Sequence, residues 1–86
     1  MNYKLVECDC EFLDIIEVHY EDGTIKQAVE IEEKYLRELL DREEYWIKEY
    51  LEDAKLYNMD MEKATKNANN INELFYYYAT GEIRKD

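Results

Sequence analysis

The hydrophobic period of the chain changes once, close to residue 31, and this change constrains the fold more than any other feature. Between positions 14 and 31, apolar and polar residues largely alternate, which is typical of half-buried β-strands. From residue 32, apolar residues recur every three or four positions, which is typical of amphipathic helices. The order predicts an α+β domain in which two or three helices pack on one face of an N-terminal antiparallel sheet.

The first half of the chain contains a hairpin signal, the dipeptide Asp22-Gly23, between two strand-like runs. These residue types suit a two-residue type I′ turn, which needs positive φ at both positions. Such a turn places one apolar and one largely polar set of pairs on opposite faces. The apolar face pairs Tyr20 with Ile25, Val18 with Gln27 and Ile16 with Val29, and the polar face pairs His19 with Lys26, Glu17 with Ala28 and Ile15 with Glu30. A third strand from Tyr3 to Glu7 is expected beside them, because two strands alone are marginally stable.

The second half predicts the helices. A first apolar stripe reaches to about Asn58 and consists of Leu36, Leu39, Leu40, Ile47, Tyr50, Leu51, Ala54 and Tyr57. Glu43 interrupts this stripe, and Asp41 followed by Glu44 resembles a capping box, so residues 32–58 form either one helix or two that break near 41 to 43. Asp60 is a suitable N-cap and Gly81 a suitable C-terminal stop for a last helix. Its apolar positions are Met61, Ala64, Ala68, Ile71, Leu74, Phe75 and Tyr78.

Length and cysteine content limit the class of protein. A chain of 86 residues is too short to divide its core, so one domain over residues 1–86 is expected. Neither a membrane-length apolar run nor a signal peptide is predicted. Cys8 and Cys10 are too close for an unstrained disulfide, and a cytoplasmic location is therefore expected.

The chain is strongly acidic, with 22 acidic and 11 basic residues and a formal net charge of -11. Residues 1–60 carry the whole excess, with 18 acids and 7 bases, whereas residues 61–86 carry 4 of each. A negative field repels nucleic acid and anionic membranes and attracts basic proteins. Direct binding to nucleic acid or membrane is therefore not expected, although acidity of this kind also serves solubility alone.

No residue pattern predicts an enzyme, and no cofactor or metal is expected. His19 is the only histidine, so a nucleophilic triad has at most one possible base. It is predicted to lie exposed on the polar face of the hairpin beside Lys26. Glu17, His19 and Glu21 alternate along one strand face, but three ligands of common types are weak grounds for zinc.

A calcium site is also not predicted, although Asn58, Asp60 and Glu62 alternate between two helices. The glycine and the distal bidentate glutamate of an EF-hand loop are missing. The N-cap explains Asp60 better.

Two surface patches are candidate sites for binding another protein. The first, which we call the acidic stripe, is the helix face opposite the predicted core and consists of Glu38, Arg42, Tyr45, Glu49, Glu52 and Leu56. Carboxylates around an exposed tyrosine and leucine suit a basic, partly apolar partner. The alternative is a solvated face, because three favourable i, i+4 ion pairs explain part of the charge. They are Glu33 with Arg37, Glu38 with Arg42 and Glu44 with Lys48.

The second patch is the run Tyr76-Tyr77-Tyr78. Three successive helical residues cannot share one buried face. Tyr78 is expected in the core with Leu74, so Tyr76 and Tyr77 are expected to point outward. Two neighbouring exposed tyrosines are typical of an interface, including one with a second copy of the chain.

The first functional hypothesis is an inhibitor or decoy that places carboxylates where a nucleic-acid-binding protein expects phosphates. Successive helical turns space such acids by about 5.4 Å. In size and charge the chain resembles phage-encoded proteins that block host defence nucleases, including anti-CRISPR proteins, and this resemblance implies a basic partner. The alternative is a small homo-oligomeric structural or regulatory protein with an aromatic dimer interface.

Overall fold

A computed structural model describes residues 2–8 and 13–84, and Cys10 lies outside these ranges. The described residues form three strands and four helices, which confirms the α+β class. The elements are β1 (Tyr3–Cys8), β2 (Ile15–Tyr20), β3 (Ile25–Val29), α1 (Glu33–Asp41), α2 (Glu43–Leu56), α3 (Met61–Ala68) and α4 (Ile71–Thr80). The chain divides into two compact units, Met1–Asp41 and Arg42–Asp86. A single domain stays a prediction.

The first unit contains the three-stranded antiparallel sheet, in the order β1-β2-β3, and helix α1. One face of the sheet is buried, as alternation requires. This face carries Ile16, Val18 and Tyr20 of β2 and Ala28 of β3. Three leucines of α1 are also buried, because they follow the helical period along one side of the helix: Leu36, Leu39 and Leu40.

The hairpin of β2 and β3 is confirmed, but its turn has three residues, 21–23, rather than two. The Gly23 amide donates to the Tyr20 carbonyl at 3.1 Å, and the Tyr20 amide donates to the Thr24 carbonyl at 2.9 Å. Gly23 has φ +91°, which suits the left-handed position that follows a type I turn in three-residue hairpins. The Asp22 carboxylate accepts from the Thr24 amide at 2.9 Å, and this hydrogen bond lowers the pKa of that carboxyl.

The third turn residue shifts the register by one and exchanges the two faces of β3. The observed pairs are Ile15 with Val29, Ile16 with Ala28, Glu17 with Gln27, Val18 with Lys26 and His19 with Ile25. Ala28, predicted on the polar face, is therefore fully buried, whereas Ile25, predicted on the apolar face, is 54% exposed. The predicted pairing was wrong, because a two-residue and a three-residue turn share the same Asp-Gly signature.

The long helical segment is two helices, as one of the two alternatives predicted. α1 ends at Asp41 and α2 begins at Glu43, with the non-helical residue Arg42 between them. The predicted capping box is not formed within the described chain, because Arg42 occupies the N-cap position and no side chain caps it. Glu43, the residue that interrupted the apolar stripe, is only 4% exposed.

In the second unit, α2 ends in a Schellman motif around Asn58, whose φ is +57°. The Met59 amide donates to the Ala54 carbonyl at 3.0 Å, and the Asn58 amide donates to the Lys55 carbonyl at 3.1 Å. The predicted N-cap Asp60 is confirmed, since its carboxylate accepts from the Glu62 amide at 3.0 Å.

The predicted last helix is divided into α3 and α4 by an asparagine pair. The Asn69 side chain donates to the Thr65 carbonyl, and the Asn70 side chain accepts from the Asn72 amide, both at 2.9 Å. Asparagine side chains compete with the helical ladder in this way, so the described chain has four helices rather than two or three. Gly81 ends α4 in the left-handed conformation, as predicted.

The buried core of the second unit comes from all three of its helices and from the segment after α4. It consists of Tyr50, Ala54, Ala64, Ala68, Ile71, Leu74, Tyr77 and Ile83. Small alanines on α2 and α3 allow close approach of these two helices. Ile47 and Leu51, predicted at the centre of the α2 stripe, are only half-buried, and Tyr57 is exposed.

Candidate protein-binding surfaces

The α2 part of the acidic stripe lies on the open side of that helix, as predicted. Tyr45 is 51% and Leu56 is 78% exposed. Between them, Glu52 is exposed and Glu49 is half-buried. The remaining two members are also exposed: Glu38 on α1, in the first unit, and Arg42 at the helix break. The part of the acidic stripe that lies on a single helix is therefore the α2 part, Tyr45, Glu49, Glu52 and Leu56.

Ion pairing within the chain does not account for the carboxylates of this surface. Of the predicted i, i+4 pairs, Glu33 and Arg37 are 3.0 Å apart on α1. In the described part of the second unit, neither Glu49 nor Glu52 has an ion-pair partner, and Glu44 and Lys48 do not pair. Neither carboxylate is therefore held in an ion pair with a described residue, although Lys48 and Lys55 lie near Glu52 on the same helix.

Beside the stripe, α2 also presents a shallow apolar depression of about 430 Å³. Half-buried Ile47 and Leu51 form its floor. Its rim is charged and consists of Glu44, Lys48, Glu52 and Lys55. The sequence pattern had assigned both floor residues to the core, so this apolar component of the α2 surface was missed.

The tyrosine run faces the other way from the prediction. Tyr77 is buried, at 6% exposure, whereas Tyr76 and Tyr78 are half-buried. The Tyr78 ring stacks on Trp46 with centroids 5.1 Å apart, and the Tyr77 ring meets Tyr50 edge-on at 5.5 Å. The predicted outward position of Tyr77 was wrong, because the buried face set by Ile71 and Leu74 continues to Tyr77, three residues after Leu74, and not to Tyr78, four residues after it.

The Tyr77 hydroxyl donates a hydrogen bond to the carboxylate of Asp53 on α2. Burial raises the pKa of this phenol well above its ordinary value, and the hydrogen bond to Asp53 and the nearby negative charge raise it further. Aromatic packing and this hydrogen bond thus join α4 to α2. Tyr77 is a structural residue here, and it is unavailable as a surface contact.

The second unit also contains a groove of about 710 Å³ that sequence reasoning missed. Its lining is mixed aromatic, apolar and charged, and consists of Tyr57, Met59, Lys63, Tyr76, Glu82, Ile83 and Arg84. The Arg84 guanidinium lies 4.6 Å from the centroid of the Tyr76 ring and 3.7 Å from the Glu73 carboxylate. Tyr76, one of the predicted contacts, is therefore part of this groove and already covered on one side by a cation.

In the first unit, carboxylates surround a small cleft of about 300 Å³, which we call the acidic cleft. Ile15, Ile16 and Ile31 contribute apolar surface. The other lining residues are Glu7, Cys8, Asp14, Glu32 and Glu33. An apolar floor under several carboxylates is complementary to a lysine or arginine side chain, which has an aliphatic stem and a cationic head.

His19 lies on the outer face of the sheet, half-exposed, and its Nε2 is 3.1 Å from the Glu17 carboxylate. Among residues 2–8 and 13–84, no group of three or more histidine, cysteine or acidic side chains is placed to hold a metal ion. No described helix combines the length and apolar character needed to cross a membrane.

His19→Ala is expected to change the free energy of unfolding by less than about 0.5 kcal/mol, because the side chain is half-exposed and its contact is a surface one. Urea titration followed by circular dichroism measures this change. The control Val18→Ala, at the fully buried neighbouring position, should be clearly more destabilising. Equal losses in the two variants would contradict the half-exposed position of His19.

Comparison of the chain with protein-family models, with curated proteins and with solved structures finds no match.

Proposed function

We propose that the chain binds a basic protein through the α2 part of the acidic stripe and acts as an inhibitor or decoy of a nucleic-acid-binding protein. The observation that carries this proposal is the pair Glu49 and Glu52, which has no ion-pair partner in the described chain and lies between the exposed Tyr45 and Leu56. Charge complementarity and a large apolar contact are thus available on one helix face.

The proposed binding has two physical components. The net charge of -11 steers a basic partner toward the chain and raises the association rate, an effect that salt screens. Tyr45, Leu56 and the neighbouring Ile47 and Leu51 supply apolar area that is buried on contact and slows dissociation. A nucleic-acid-binding groove offers a basic surface for such a contact, since it is built to receive phosphates.

A homodimer through Tyr76 and Tyr77, the rival hypothesis, receives no support from the fold. Tyr77 would have to leave its hydrogen bond with Asp53 and its aromatic neighbours to reach a second copy. The free energy lost with the hydrogen bond to Asp53 would offset the free energy gained from a contact of the half-buried Tyr76.

The double charge reversal Glu49→Lys with Glu52→Lys is expected to weaken partner binding by on the order of 100-fold and to leave the chain folded. Wild type and variant serve as baits in nuclease-treated lysate, and proteins retained only by the wild type are then purified. Their affinity is measured directly by calorimetry at low and high salt. Affinity should fall as salt rises, because exposed charges interact over a Debye length of about 8 Å at physiological ionic strength.

The matched control is Glu62→Lys with Glu82→Lys, which changes the net charge equally at two exposed positions outside α2. It should retain most of the affinity of the wild type. Double-stranded DNA should compete with the chain for the purified partner if the chain is a decoy. Equal loss in both double variants, or binding indifferent to DNA, would refute the proposal.

A further inference from the structure

The strand β1 lies at the edge of the sheet, and the hydrogen-bond pattern identifies the backbone groups that it presents there. The Tyr20 amide donates to the Thr24 carbonyl at 2.9 Å, and the Glu30 amide donates to the Asp14 carbonyl at 2.7 Å. In an antiparallel ladder both backbone groups of a residue point to the same side, and the side alternates along the strand. The even-numbered residues of β2 therefore point to β3, and its odd-numbered residues point to β1.

The pairing of β1 with β2 then fixes the orientation of each β1 residue. The odd-numbered β2 residues pair with Lys4, Val6 and Cys8, which direct their N–H and C=O groups inward to β2. Tyr3, Leu5 and Glu7 consequently direct theirs outward, to the open edge. Within the described residues, no backbone hydrogen bond from another element reaches these three.

This edge carries the charged side chains of Lys4 and Glu7, but it lacks two other features that protect edge strands from pairing, a bulge and a proline. Its register with β2 is continuous from Tyr3 to Cys8, without a bulge, and the strand contains no proline. The Tyr3 end is held in place, because the Tyr3 hydroxyl donates to the Asp41 carboxylate at 3.0 Å and the Asn2 side chain donates to Glu21 at 2.8 Å. The result is an unbroken strand, anchored at one end, with three outward donors and three outward acceptors.

Charge indicates which strand this edge accepts. Glu7, the last outward residue, also lines the acidic cleft, so a strand added to β1 places a side chain beside this rim of carboxylates. A lysine or arginine at that position extends its aliphatic stem over the isoleucines and its cation toward the carboxylates. A second copy of this chain is disfavoured as the added strand, because each copy carries a net charge of -11.

We propose that β1 receives an extended, lysine- or arginine-bearing segment of another protein as a fourth strand of the sheet. The main-chain hydrogen bonds of Tyr3, Leu5 and Glu7 supply the attachment, and the acidic cleft selects a basic side chain. This site uses different residues from the α2 part of the acidic stripe and does not depend on the function proposed above.

Amide hydrogen exchange of the full chain, followed by NMR, tests the proposal. In the free chain, the amides of Tyr3, Leu5 and Glu7 are expected to exchange at least about tenfold faster than those of Lys4 and Val6. A synthetic heptapeptide of alternating valine and lysine, at roughly 1 mM, should slow the three outward amides by at least about tenfold. A peptide with glutamate in place of lysine should not.

Two variants at one position separate the backbone contribution from the charge. Glu7→Gln keeps the outward amide and loses the charge, so it should weaken binding of the lysine peptide several-fold. Glu7→Pro also removes the outward donor, which does not bond to β2, and should weaken binding at least about tenfold beyond Glu7→Gln. Protection of the Lys4 and Val6 amides reports that the sheet is intact.

Several outcomes would overturn the proposal. Slow exchange of the Tyr3, Leu5 and Glu7 amides in the free chain would show that the edge is covered. Protection that rises with the concentration of the chain alone would identify a second copy as the added strand. Equal affinity of the Gln and Pro variants, with the sheet intact, would exclude a backbone contact. If Glu7→Pro disrupts the sheet, the exchange pattern of the wild type with the two peptides decides.

Discussion

Leu74→Ala is expected to lower the free energy of unfolding by about 2 to 5 kcal/mol. Leu74 is 1% exposed on α4, so the substitution removes buried methyl groups and leaves a cavity that the neighbouring helices fill only in part. Domains of this size are stabilised by only about 5 to 15 kcal/mol, and the loss is a large fraction of that. Urea unfolding monitored by circular dichroism and by the fluorescence of Trp46 measures it.

Leu51→Ala is the matched comparison, because it makes the same chemical change on α2 at a half-buried position. Its expected cost is about 1 to 2 kcal/mol, since less apolar area is lost from the interior. The sequence pattern alone placed Leu51 at the centre of the apolar stripe of α2, where the same substitution would be expected to cost as much as Leu74→Ala. A greater loss from Leu51→Ala than from Leu74→Ala would show that the buried face of α2 is wrongly assigned.

Tyr77→Phe is expected to lower the free energy of unfolding by about 1 to 3 kcal/mol at neutral pH, because it removes a hydrogen bond to the Asp53 carboxylate. It should also change how stability depends on alkaline pH. The ordinary pKa of a tyrosine is 10.0, and that of Tyr77 is raised in the folded chain. Above pH 10 the unfolded state therefore releases this proton while the folded state keeps it.

Since the unfolded state then binds fewer protons, stability that is fully present below pH 10 is lost as the pH rises toward the folded pKa. The slope contributed by Tyr77 is about 1.4 kcal/mol for each pH unit. Urea titrations between pH 8 and about 11 measure this slope, and it should be smaller in Tyr77→Phe. Tyr35→Phe, at an exposed position, is the control. It should leave the free energy of unfolding at neutral pH and the alkaline slope near those of the wild type. An unchanged alkaline slope in Tyr77→Phe would contradict a buried, hydrogen-bonded phenol.

Local chemistry in the sequence was sufficient to predict the element types and several of their ends. Asp60 caps α3, because its carboxylate accepts a hydrogen bond from an amide two residues later. Gly81 ends α4, because glycine tolerates positive φ. Both effects act within a few residues of the chain. The register of the hairpin was not predictable in the same way. Its turn length depends on a choice between two backbone geometries that the Asp22-Gly23 dipeptide serves equally well.

The helix phases in the second unit show a related limit. Either Tyr77 or Tyr78 continues the spacing of Ile71 and Leu74, because three and four residues both complete about one turn. Tyrosine also fits a buried or an exposed position, depending on whether its hydroxyl finds a partner. Asp53, the partner that decides in favour of Tyr77, is 24 residues away along the chain. The burial of Tyr77 depends on this tertiary contact and could not be predicted from the local pattern. The exposed positions of Tyr45 and Leu56 on α2 were predicted, because they depend on the helical period alone.

The odd number of residues in the 21–23 turn restricts how the length of this chain can change. Replacing a residue in the turn alters its local geometry and leaves the pairing of β2 and β3 in place. If the turn keeps its three-residue geometry, gaining or losing a single residue slips β3 by one position, so that Ala28 turns outward and the polar Gln27 turns into the interior. A change of two residues, or a single insertion that lengthens the turn itself, keeps the original faces. An added residue is therefore tolerated where the turn absorbs it and the pairing of Ile16 with Ala28 is kept.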